Sequence, residues 1–210
     1  MNQRNYQKEL DQLLEKQKKE GKVPRLLLHS CCAPCSSYVL EYLSRYFEIT
    51  VYYYNPNIYP AEEYGMRVKE QQRLIAQMND QGKTEHPVTF FSGNYDPGEF
   101  YQVVKGLEGE PEGGKRCEAC FKLRLREAAK LAASGGYDFF TTTLSISPMK
   151  SARLLNETGE AMAREYGISY LPSDFKKREG YKRSIELSAE YGLYRQNYCG
   201  CIYSQKAREK

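Results

Sequence analysis

No segment of this chain approaches the roughly 20 consecutive apolar residues that a membrane-spanning helix needs, which excludes a helical membrane protein. Residues 1–22 are charged throughout and lack the apolar stretch of a secretory signal, so a cytoplasmic protein is expected. Net charge is only +4, too small for the strongly basic field of a general nucleic-acid binder. Internal repeats and low-complexity tracts are missing as well. Tryptophan is absent, and aromatic character rests on 19 tyrosines and 8 phenylalanines. Many of the tyrosines flank cysteines, where a ring packs on one side and presents a hydroxyl on the other.

What remains is an ordinary globular balance of 40% hydrophobic and 28% charged residues in 210, enough for one well-filled core. A single domain over residues 1–210 is expected, with a leading helix in 1–22 and a helical extension in 173–210. Short apolar or β-branched runs at Arg25–His29, Glu48–Tyr54, Pro87–Phe91, Tyr137–Leu144 and Ile168–Leu171 read as strands. Helical periodicity fills the intervals: Asn2–Glu20, Ser36–Arg45, Ala61–Asn79, Pro97–Lys105, Cys117–Ala133, Pro148–Tyr166 and Tyr181–Tyr191. The Gly/Glu/Pro stretch at Gly106–Gly114 reads as a mobile loop. Such alternation implies an α/β fold, a single parallel sheet flanked by helices. Right-handed crossovers then gather the strand C-termini at one edge, where open α/β sheets build their sites.

Seven cysteines fall in three groups: Cys31, Cys32 and Cys35; Cys117 and Cys120; Cys199 and Cys201. In a reducing compartment, close spacing argues for metal binding or catalysis rather than structural disulfides. Cys117 and Cys120 at a helix start point the same way, near free N–H groups that favour thiolate. Two sulfurs from each of the first two groups would supply the four thiolates of a metal or cluster site. The Gly between Cys199 and Cys201 permits a small strained disulfide suited to electron delivery, and two metal ligands are equally consistent. A structural zinc is the rival occupant; it uses four cysteines and leaves three without a role.

Other residues carry weaker signals. His29 and His86 read as a core histidine and a loop histidine. Asp174 follows the last strand, where a site carboxylate would sit as metal ligand or proton shuttle, although turn capping is the plainer role. Lys176, Lys177, Arg178, Lys182 and Arg183 crowd one stretch around Tyr181. They read either as a phosphate-neutralising patch or as a solvated helix start.

The segments LLLHSCCAPCS, KRCEACFKLRL, FTTTLSISPMK, SDFKKREGYKRS and YRQNYCGCIYS, in order from residue 26 to 204, resemble the QueH-type epoxyqueuosine reductases, the cobalamin-independent family. That resemblance implies a fold similar to the nucleotide α-hydrolase, Rossmann-like type. It implies two-electron reduction of the epoxide of epoxyqueuosine at the wobble position of tRNA, the last step of queuosine synthesis, with electrons from an external donor. It also implies a [4Fe–4S] cluster on Cys31, Cys32, Cys117 and Cys120, and a redox-active pair at Cys199 and Cys201. Cys35 and Asp174 become ligands of an additional adjacent iron, with Asp174 or a tyrosine as the acid. The basic stretch becomes the phosphate contact, and Tyr54 or Tyr198 a stacking partner for the everted base. Cysteines stand where this fold usually places a Ser/Gly phosphate loop, which argues against ATP use. Two other functions stay open: a tRNA-thiolating enzyme of the same fold and a zinc-dependent tRNA-binding module.

Overall fold

Leu26, Leu27 and Leu28 are all fully buried, as a run without alternation must be when both faces of its strand are covered. They lie in β1 (Arg25–His29) of a computed structural model that describes residues 4–208. Around it, β2 (Glu48–Tyr53), β3 (Thr89–Ser92), β4 (Phe139–Thr142) and β5 (Ser169–Tyr170) form one all-parallel sheet in the order β3-β2-β1-β4-β5. This is the Rossmann-like order. After β3 the chain returns to the middle of the sheet and continues on its other side, which leaves a crevice beyond the C-terminal ends of β1 and β4.

The pleat divides the core in two. Leu26 and Leu28 pack with Leu10 and Leu14 of α1 (Tyr6–Glu20), and with α2 (Ala33–Leu43), α3 (Ala61–Asp80) and α7 (Gly180–Glu190). Leu27 faces the opposite layer, α4 (Pro97–Val103), α5 (Lys115–Ser134) and α6 (Ala152–Tyr166). A short α8 (Ile202–Arg208) closes the described chain. No helix among the described residues is long and apolar enough to cross a membrane.

Several boundaries differ from the sequence reading for local reasons. Helix α1 begins at Tyr6 because Asn5 caps it, its side chain accepting from the Lys8 N–H; the expected first residues, 2 and 3, lie outside the described residues. Helix α2 starts at Ala33 rather than Ser36, because Pro34 suits a first turn. That puts Cys32 at the N-cap and Cys35 on the helix. Helix α5 starts two residues early, at Lys115. Helix α6 starts late, at Ala152, where the Ser151 hydroxyl accepts from the Leu154 N–H. The 106–114 loop, read as mobile, is tied by Arg116, which donates to the carbonyls of Glu108 and Glu110.

The seat of α6 on β5 depends on a missing side chain. A Cβ at Gly159 would meet the Tyr170 ring at 2.3 Å. Gly159→Ala is therefore expected to lower stability by about 1–2 kcal/mol. Overpacking costs about 1–3 kcal/mol, and the better helix propensity of alanine returns up to about 1. The urea midpoint measures it, and an unchanged midpoint would show that Tyr170 is free to move.

Candidate metal and thiol site

The crevice beyond β1 and β4 is lined by sulfur. Leaving β1, the chain is fixed by buried side chains of its neighbours: Asn55 Nδ2 donates to the Ser30 carbonyl at 2.8 Å and the Tyr53 hydroxyl to the Cys31 carbonyl at 3.1 Å. From α3, Gln71 Oε1 accepts from the hydroxyls of Ser30 and Ser36 at 2.9 and 3.0 Å. So held, the backbone converges the sulfurs of Cys31, Cys32 and Cys35, which all lie within 4.8 Å of one another. Cys31 and Cys32 are 3.8 Å apart. Hydrogen bonds from Cys32 and Cys35 hold the Cys31 thiol well below the ordinary range, with Arg124 and Lys150 adding to the effect. Donating to Cys31 raises the other two.

Of the two further pairs, Cys117, Cys120 and Cys201 pack in the same core layer as Cys31 and Cys32, and Cys199 lines the same cavity. Cys117 and Cys120 occupy the first two turns of α5. The Cys117 sulfur accepts from the Gly113 N–H at 3.2 Å and Cys120 from Arg124 Nη1 at 3.8 Å. Burial raises both thiols, Cys120 to about 11. The Cys199–Cys201 loop is strapped down by Tyr59, whose N–H donates to the Gly200 carbonyl at 2.8 Å. Ser204 Oγ accepts from the Cys199 N–H at 3.0 Å. Gly200 has φ 113°, a conformation that favours glycine, and a Cβ there would lie 3.0 Å from Arg67 Nη1, which would have to shift slightly. All seven cysteines are free thiols. Among the described residues, only Cys31, Cys32 and Cys35 gather three candidate metal-ligand atoms within that distance.

Two buried arginines and the half-buried Lys150, none singled out by the sequence reading, lie near the sulfurs. Arg124 is 1% exposed and Arg67 2% exposed. Arg67 binds Glu63 through Nε at 2.7 Å, yet neither of its Nη groups has an acceptor. Arg124 donates to Asn55 Oδ1 at 2.8 Å. Burial alone would lower the Lys150 ammonium, but Cys199, Cys31 and Cys35 outweigh it and hold it raised. Neither Arg124 nor Lys150 has a carboxylate partner among the described residues. Buried positive charge without a counter-ion is costly, and an anionic occupant offsets it. Several thiolates bound to a soft metal carry the right sign and the right donor chemistry. The residues fit an iron–sulfur group on this test. Arg124 lies inside a cysteine-bearing segment already noted and Lys150 ends the cysteine-free segment FTTTLSISPMK, whereas nothing in the sequence distinguishes Arg67 from a surface arginine of α3.

His29 is a neutral core group, as its position suggested. Thr142 Oγ1 accepts from the Leu144 N–H at 3.2 Å, which leaves its hydroxyl to donate to Nδ1 at 2.9 Å, while Nε2–H donates to the Tyr54 carbonyl at 3.1 Å. Burial, and then Arg124, lower its pKa to about 3. The unfolded chain takes up that proton near the ordinary value of about 6.5. Stability is therefore complete above that pH and lost as pH falls toward 3, by up to about 1.4 kcal/mol per unit. Urea unfolding of the metal-free chain is expected to show a loss of roughly 2 kcal/mol between pH 7 and 5. His29→Gln should flatten that slope, and an unchanged slope would assign it to other groups.

The remaining sequence-derived sites are dispersed. A cavity of about 170 Å³ is lined by Cys31, Cys32, Cys35, Cys199, Lys150, Tyr181 and Tyr198, among others. Asp174 lines a neighbouring groove instead, with its carboxylate 2.7 Å from Lys176 Nζ. Tyr54 is buried and donates to Glu99, so it is closed to an incoming base, whereas Tyr198 lines the cavity. In the basic stretch Arg178 pairs with Asp11, Lys182 with Glu179, and Arg183 with Glu41 at 2.7 Å. Among the described residues, Lys177 alone of the five has no ion pair.

A thiol-lined cavity at the switch point of a parallel sheet defines a Rossmann-like α/β protein built for metal or redox chemistry. The family model described as Epoxyqueuosine reductase QueH matches residues 26–207, and the chain belongs to that family. It is 46% identical over 202 residues to the epoxyqueuosine reductase QueH of Staphylococcus epidermidis, covering 95% of this chain and 84% of the relative. The QueH of Haemophilus influenzae is 39% identical over 188 residues, with 89% and 74% covered. That of Thermotoga maritima is 33% identical over 191 residues, with 88% and 92% covered.

Proposed function

We propose that this protein is an oxidoreductase of the cytoplasm that reduces the epoxide of epoxyqueuosine in tRNA to the cyclopentene of queuosine, with two electrons and two protons and release of water. The observation that carries the reading is the cavity lined by Cys31, Cys32, Cys35 and Cys199 with Lys150, backed by the buried Arg67 and Arg124, in a chain of this family. Cys31, Cys32, Cys117 and Cys120 would hold a [4Fe–4S] cluster, and Cys35 would serve an additional iron. When bound, that group supplies single electrons from an external donor and a Lewis-acidic site for oxygen.

The chain's own residues do the rest. Arg67, Arg124 and Lys150 compensate the charge of the thiolates. Cys199 and Cys201, on a loop that glycine allows to turn sharply, serve as the pair that alternates between dithiol and disulfide. Tyr181 and Lys150 line the cavity, and one of them would give the departing oxygen its proton. Asp174, which opens onto the adjacent groove, would orient Lys176 there. Tyr198 offers a face for the base.

ATP-dependent thiolation is disfavoured by the β1–α2 turn. There Cys32, Ala33 and Pro34 replace a phosphate-cradling loop, and proline has no N–H to offer a phosphate.

The test is anaerobic purification with iron and sulfide analysis. Incubation with epoxyqueuosine-containing tRNA and a chemical reductant then follows, with mass spectrometry of the nucleosides. Loss of one oxygen is the expected result. Zinc without iron or sulfide would point to a non-catalytic RNA-binding module, and an intact epoxide beside a loaded cluster would overturn the activity.

A further inference from the structure

We propose that the substrate tRNA lays its phosphate backbone in the groove beside the thiol cavity, with Lys150 carrying the contact from one into the other. This rests on the tRNA reductase reading above. The groove, about 860 Å³, lies between the first turn of α1, the head of α6 and the 174–178 loop. Seven cationic side chains line it against two carboxylates; Arg4 is also paired with Glu9 and Glu160 behind the wall, and the remaining lining is still positive.

Both carboxylates are already engaged, Asp174 by Lys176 and Asp11 by Arg178. Lys8, Lys150 and Lys177 have no ion pair among the described residues. Arg153 meets only Glu157 at 3.3 Å, one helical turn on and largely exposed, a contact worth little in water. Like charges gathered on one concave surface repel each other, and a polyanion relieves that repulsion. The outer cluster on α7 lacks this property, because Lys182 and Arg183 are neutralised by Glu179, Glu41 and Glu186.

Continuity selects the partner. Lys150 lines both the groove and the thiol cavity. A strand whose phosphates run along the groove therefore delivers its next nucleotide to the sulfurs. The amino ends of α1 and α6 open on the same groove and favour the same sign of ligand.

The test uses holoenzyme carrying Lys8→Gln, Arg153→Gln and Lys177→Gln together. Lys150 is left in place because its charge also faces the thiols. Binding of epoxyqueuosine-containing tRNA is followed by anisotropy across a range of KCl, and turnover is measured with a chemical reductant. The slope of log affinity against log salt is expected to fall by about two to three, and KM to rise by roughly tenfold or more. kcat and iron content should stay near those of wild type, and Lys130→Gln, near the far end of α5, should change neither slope nor KM. Unchanged slope and KM in the triple variant would overturn the proposal. So would a defect seen only when a reduced protein replaces the chemical reductant, which would make the groove a dock for an acidic electron donor. Wild type that binds this tRNA without reducing it refutes the activity, and the salt slope of the triple variant then decides the groove separately.

Discussion

Cys31→Ser is expected to abolish turnover and to cut iron and sulfide content by more than about tenfold. Cys31 lies at the meeting point of the sulfurs, close to Cys32 and Cys35, and its thiol is the one held well below the ordinary range. It therefore belongs to every ligand set the geometry allows. Serine keeps the shape but offers a hard oxygen that stays protonated, a poor ligand for a soft metal. Two further variants separate the ligand sets. If Cys117 and Cys120 complete the cluster, Cys117→Ser loses it while Cys35→Ser keeps the cluster and loses only the additional iron. A metal held by the Cys31, Cys32 and Cys35 trio alone would reverse that order. Iron, zinc and sulfide analysis with visible absorption reads all three variants, and full metal content with full activity in Cys31→Ser would refute the site.

Arg67→Met is expected to lower the midpoint potential of the bound group by on the order of 100 mV. A unit charge about 8 Å away is worth about 2 kcal/mol at an effective dielectric near 20, and about 1.4 kcal/mol corresponds to 59 mV for one electron. Reduction adds negative charge, so removing a neighbouring cation disfavours the reduced state and drives the potential down. Arg67 is suited to this role because it is buried, tethered at Nε by Glu63, and has both Nη groups free of acceptors beside Gly200. Arg67→Lys keeps the charge and should restore most of the potential. An anaerobic spectroelectrochemical titration measures it, and a potential unmoved in Arg67→Met would show that the guanidinium only supports the 199–201 loop.

The fold was legible where residue type and structure repeat one another. Arg25–His29 is a contiguous apolar run, and only a strand covered on both faces uses it in full. Cys31 and Cys32 stood out as candidate ligands because a polarisable side chain just past a central strand has few structural uses, and their sulfurs do converge. The meeting of Cys35 with them was not legible: it depends on α2 starting three residues early, with Cys35 on its first turn. Arg67 and Arg124 were invisible for a statistical reason, since arginine on an amphipathic helix is nearly always solvated. Asp174 shows the limit of placing residues by strand ends. Its position after β5 was read correctly, but the edge of a sheet has width, and the carboxylate opens one groove away from the sulfurs. Lys182 and Arg183 looked like free charge because Glu41, which neutralises Arg183, lies 142 residues earlier in the chain.

The buried cations also bear on the lifetime of the protein. A chain that folds before it acquires its anionic group carries Arg124 and Lys150 uncompensated, with the 199–201 loop fastened by a few single hydrogen bonds. Such a loop opens before the sheet does, and a ligand that binds only the closed form adds stability in proportion to the logarithm of its supply. Intracellular proteases act on the open form. With iron as the proposed occupant, the quantity of this protein in a growing cell is expected to track iron availability, with starved cells degrading the polypeptide rather than storing it empty.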